Sequence, residues 1–94
     1  MDQKKEKAVI TVVGLDKKGI ISGVSTLLAE ESINILDISQ TIVDGYFSML
    51  MVVDIAQTSD SLQEVTAKLG AVGQKLGVVI TCQHDDIFKN MHRI

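Results

Sequence analysis

Seven residues early in the chain, Gly14-Leu15-Asp16-Lys17-Lys18-Gly19-Ile20, put a carboxylate, two ammonium groups and two glycines where a β-like run gives way to a helical one. The first N–H groups of a helix lack intrahelical partners and carry the positive end of its dipole, so such a start favours an anion. A glycine lets a ligand approach the backbone, and the Asp16 carboxylate can hold an ammonium. An amino acid carries both charges a few ångströms apart. The same residues also read as a capped helix start with a glycine placed for close packing, and the local pattern leaves both readings open. Asn34 and Asp37, at the start of the next β-run and expected beside this loop, add polar groups where a core-facing strand would be apolar. A solvated sheet edge accounts for them equally.

The other reactive side chains point to less. His84, Asp85 and Asp86 are contiguous and His92 follows, but no metal site is expected of them, because neighbours on a strand point to opposite faces. A polar linker with Asp85 or Asp86 capping a following helix fits the pattern. The single cysteine, Cys82, cannot form an internal disulfide, has no companions at zinc spacing, and reads as a small buried hydrophobe beside Val78 and Ile80. Met49 and Met51 read as core or interface filler. No nucleophile is paired with a base, and the one arginine is Arg93. An acylphosphatase needs an arginine-bearing loop after the first strand, a metallochaperone a cysteine pair there, and an RNA-binding sheet aromatics on its open face. None is present, so the chain is expected to be non-catalytic and to need no cofactor.

These residues must be held by a small number of elements. Residues 8–14 are β-branched and end at Gly14, the first strand. Ile20, Ile21, Val24, Leu27 and Leu28 make one apolar helical face, with Asp16 placed as N-cap and an end near Glu31 or Ser32. Residues 33–43 and 46–55 are β-runs around Asp44-Gly45, a hairpin signal. Ser61 and Glu64 match a capping box ahead of Leu62, Val65, Leu69, Val72 and Leu76, a helix running to about Lys75. Gly70 and Gly73 inside it suggest close packing on the sheet or early fraying. Gly77 ends it, and residues 78–84 form the fourth strand. Residues 85–94 place Ile87, Phe88, Met91 and Ile94 on one face of a short helix that needs docking to be stable.

The order βαββαβ implies an α+β, ferredoxin-like sandwich: a four-stranded antiparallel sheet with two helices on one face, plus the short C-terminal helix. The domain spans 8–84, with an N-terminal extension at 1–7 and the tail at 85–94. At 94 residues the chain buries roughly 60 to 65% of its unfolded surface, enough for one core. A net charge of −3, nine basic residues and three aromatics disfavour direct nucleic-acid binding. No apolar run reaches the ~20 residues that span a bilayer, so no membrane partner is expected and the location reads as cytoplasmic. Two helices cover only one sheet face. Phe47, Met49, Met51, Val53 and Ile55 lie on one alternation and Leu50 and Val52 on the other, so a second copy or the tail is expected to cover the second face or an edge, and a homodimer follows.

Ile10-Thr11-Val12-Val13-Gly14, then Asp16-x-x-Gly19-Ile20-Ile21, then Ile33-Asn34-Ile35, resemble the ACT domain, an amino-acid-sensing βαββαβ module. The small single-domain members related to the glycine cleavage system repressor type are the most similar, with Asp-Ile-Ser-Gln-Thr at 37–41. The resemblance covers residues 8–84. Many ACT domains have proline before the loop glycine, where this chain has Lys18. The repressor relatives carry two domains in tandem where this chain has one, so direct transcriptional repression is not implied. The resemblance implies an effector, usually an amino acid, bound between the first loop of one protomer and the second strand of a neighbour. Mapped here, that is Asp16, Lys17, Lys18, Gly19, Ile20 and Ile21 from the loop and Asn34, Ile35 and Asp37 from the strand. The change would pass to an unknown regulated protein. The rival reading is an oligomerisation or adaptor domain with a vestigial ligand site, and behind it an acylphosphatase-like enzyme.

Overall fold

The computed structural model describes residues 6–15 and 18–86. Six elements follow one another: β1 (Lys7–Leu15), α1 (Ile20–Glu30), β2 (Asn34–Val43), β3 (Tyr46–Asp54), α2 (Leu62–Leu76) and β4 (Val78–His84). The strands form one antiparallel sheet in the order β2-β3-β1-β4, so both helical crossovers skip one strand. This is the ferredoxin-like sandwich that the order of elements implied. The expected tail helix of Ile87, Phe88, Met91 and Ile94 lies outside the described residues.

Period-two burial on the strands and period-four burial on the helices meet in one core. Ala8, Ile10 and Val12 of β1, Phe47, Met49, Met51 and Val53 of β3, and Val78, Ile80 and Cys82 of β4 face Ile20, Val24 and Leu28 of α1 and Val65 and Leu69 of α2. The α2 capping box is complete. Ser61 Oγ accepts the Glu64 N–H at 3.1 Å, and Glu64 Oε1 accepts the Ser61 N–H at 2.8 Å. Asp44 and Gly45 both have positive φ, 53° and 83°, as a two-residue hairpin turn that follows the right-handed strand twist requires.

Two glycines do other work than punctuation. β1 continues through Gly14 to Leu15, and Gly14 is small because Val78 crosses it: a Cβ there would sit 2.7 Å from Val78 Cγ1. Gly73 packs closely on the sheet, whereas a Cβ on Gly70 would meet nothing within 4 Å.

β2 is the exposed edge. Along its ten residues only Ile35 and Leu36 are half-buried, and a bulge at Leu36 lets Ile35 oppose Val53 while Asp37 opposes Val52. Ile38 and Ile42, which pair with the core residues Met51 and Phe47, are exposed even on the helix side. On the opposite, uncovered face Val13, Leu15, Val43, Tyr46, Leu50 and Val79 are exposed, with the Thr11 and Thr81 hydroxyls hydrogen-bonded between them.

Candidate functional site

Asp16 and Lys17 lie outside the described residues. The N-cap of α1 is Gly19, not Asp16: its φ of 90° and ψ of −1° are left-handed, a conformation open to glycine, and it has no side chain with which to cap the helix. The first intrahelical bond runs from the Gly23 N–H to the Gly19 carbonyl at 2.9 Å, so the N–H groups of Ile20, Ile21 and Ser22 precede the ladder. Lys18 and Gly19 are exposed beside them. Ile21 is 39% exposed, but Ile20 is only 2% exposed and anchors α1 in the core, leaving its backbone alone for a ligand. Ile35 likewise packs against the core.

Asn34 and Asp37 do not sit beside this loop in the same chain. Asn34 opposes Asp54, which opposes Lys7, at one end of the sheet, while Leu15 opposes Tyr46, which opposes Val43, at the other. The eight residue steps of β1 span about 25 Å at ~3.3 Å each. α1, about 16 Å long at ~1.5 Å per residue, and the turn that follows it carry the chain back, so the strand after this crossover starts at the far end. Asn34 is exposed, and the Asp37 carboxylate accepts the Ile38 N–H at 2.9 Å.

A second cluster forms where β4 ends. His84 closes the strand and Asp85 turns, which removes the alternation that would have parted these side chains, and one ligand atom each of His84, Asp85 and Asp86 lies within 4.8 Å of the others. His84 Nδ1 is 3.5 Å from Asp85 Oδ1 and 3.4 Å from Asp86 Oδ2, and it accepts the Asp86 N–H at 3.2 Å. Nε2 faces Glu6 Oε2 at 3.5 Å. Glu6 was not legible as part of any site, yet β1–β4 pairing finds it: with Ala8 opposite His84, Glu6 comes level with the turn.

Elsewhere the charges are structural. Lys68 Nζ lies 2.9 Å from Glu31 and 2.8 Å from Asp60, tying the end of α1 to α2. Hydrogen bonding within this triad, from Glu31 and then Lys68, holds the Asp60 carboxyl below its ordinary range, and Asp60 with Glu31 raises the Lys68 ammonium. Burial pushes the Cys82 thiol up, the opposite of what activates a cysteine nucleophile. Among the described residues no helix is long and apolar enough to cross a membrane.

The βαββαβ order with its β2-β3-β1-β4 sheet fits the ACT domain, and the chain belongs to that family: the ACT-domain model matches residues 6–83. A UPF0237 protein of Bifidobacterium longum is 50% identical over 88 residues, 94% of this chain and 98% of that one. An ACT domain protein from Streptococcus pneumoniae superposes with a TM-score of 0.80 at 45% identity, covering 90% of this chain and 96% of the other. The regulatory subunit of aspartate kinase from Thermus thermophilus matches with a TM-score of 0.66 at 27% identity, over 86% of this chain and 52% of that subunit.

Proposed function

We propose that the chain is a non-catalytic regulatory domain that binds an amino acid at a site shared by two copies and passes the change to a partner protein. The observation that carries this reading is the distance between the two halves of the site. The α1 start and the Asn34 end of β2 lie at opposite ends of the sheet, too far apart for one small ligand. Antiparallel pairing of two exposed β2 edges about a two-fold axis lays the Asn34 end of one copy beside the Val43 end of the other, the end at which that copy's α1 begins. The α1 N–H groups then meet the effector's carboxylate, and Asp16 its ammonium. The likeness to a kinase regulatory subunit supports a regulatory role. Each side is incomplete alone, so binding and assembly are coupled.

The experiment is a thermal-shift screen of the twenty amino acids, paired with light scattering. A ligand at 100 times its Kd adds about 2.7 kcal/mol of stability. One or a few amino acids are expected to raise the melting temperature of a dimer, with Asp16→Asn weakening the effect and Asp60→Asn leaving it unchanged. A dimer that responds to none of them is an adaptor rather than a sensor, and a monomer removes the shared site altogether.

A further inference from the structure

We propose that the turn after β4 is a binding site for a divalent first-row transition cation of the zinc type, with His84 Nδ1, Asp85 Oδ1 and Asp86 Oδ2 as its protein ligands and Glu6 as the carboxylate behind the imidazole. The Nδ1···O separations of 3.5 and 3.4 Å exceed a good hydrogen bond but match a different figure. Ligands bound tetrahedrally at 2.0–2.1 Å stand about 3.4 Å apart. Nδ1 therefore already stands at coordination spacing from each carboxylate oxygen, and with all three donor atoms within 4.8 Å of one another a small turn of the exposed Asp86 side chain sets three corners and leaves the fourth for water.

The donor set narrows the ion. One imidazole nitrogen with two carboxylates suits a borderline cation better than calcium or magnesium, which prefer oxygen alone. The opposite ring nitrogen supports the assignment. With metal on Nδ1, the proton resides on Nε2, and Glu6 Oε2, 3.5 Å away on an exposed side chain, needs only a small rotation to accept it, as in the carboxylate–histidine–metal arrangement that orients a ligand ring and raises its basicity. Uptake displaces the Asp86 N–H from Nδ1, and exposure of Asp86 gives that amide water in exchange. The site sits at the outer corner of the sheet and is independent of the effector reading.

The test titrates the full chain, free of any histidine tag, with zinc chloride in a calorimeter. One ion per chain is expected near pH 7. His84→Gln and the double variant Asp85→Asn/Asp86→Asn should each lose at least tenfold. Glu6→Gln should lose about 10- to 100-fold, the usual effect of removing such a supporting carboxylate. His92→Gln and Asp60→Asn should bind as the parent does, and melting curves without metal establish that each variant is folded. Absence of uptake, uptake that survives both His84→Gln and the double variant, or uptake abolished by His92→Gln overturns the site.

Discussion

Gly73 lies so close under the start of β4 that a methyl group on its Cα would stand 2.7 Å from the Val78 carbonyl oxygen, a backbone atom that cannot swing away. Gly73→Ala is expected to cost about 1–3 kcal/mol by overpacking. Gly70→Ala, one turn earlier with open space at the same position, should gain up to about 1 kcal/mol of helix propensity. Chemical denaturation of the pair reads the difference, and equal effects would mean that α2 does not sit against β4 as described.

Ser61→Ala removes the oxygen that accepts the Glu64 N–H and should cost about 1 kcal/mol. Ser61→Asp should restore most of it, since aspartate caps as well as serine and adds a negative charge at the helix start. Denaturation midpoints of the three proteins check this order.

The Lys68 triad predicts a pH dependence. The Asp60 pKa lies below its ordinary 3.8, so its stabilisation is complete above that value and is lost as pH falls through the lowered one. The Lys68 pKa lies above its ordinary 10.5, so its share is complete below 10.5 and is lost only as pH rises beyond it. Lys68→Met should therefore lower the melting temperature between about pH 5 and 9, with the deficit shrinking below about pH 4. The exposed triad should also weaken in molar salt. A deficit that persists at acid pH and high salt would assign the role of Lys68 to its alkyl chain.

Pairing through the β2 edge predicts that Ile38→Lys, in the middle of that strand, dissociates the assembly by setting like charges near the two-fold axis. Val79→Lys, on the far edge strand, should not. Light scattering distinguishes a species of twice the 10.2 kDa chain mass from the monomer. Dissociation by Val79→Lys alone would place the contact on the uncovered sheet face instead.

What the sequence showed and what it hid divide along a physical line. The capping box at Ser61, the Asp44-Gly45 turn and the apolar stripes at Val65 and Leu69 are local signals, and each marks its element correctly. Gly14 was misread as a strand end because its smallness answers to Val78, 64 positions away. Asp16 looked like the N-cap because aspartate caps well, yet left-handed Gly19 holds that position. Asn34 and Asp37 seemed to flank the loop because a helix hides the length it travels. His84, Asp85 and Asp86 seemed to diverge because strand alternation was applied to residues beyond His84, where the expected and the observed strand both end. Each misjudgement concerns where a segment lies in space rather than what the segment is.

The bulge at Leu36 also bears on how this domain can vary in length by inheritance. Ile35 and Asp37 oppose successive residues of β3, so Leu36 is an extra link that no partner residue counts. Losing its codon would leave Asp37 opposite Val52 and every later pair of the hairpin in place. Losing any one residue between 38 and 43 would turn the rest of the strand over, face for face. One position on the edge strand can thus absorb an insertion or deletion that its neighbours cannot, just downstream of the Asn34 end at which the shared site would form.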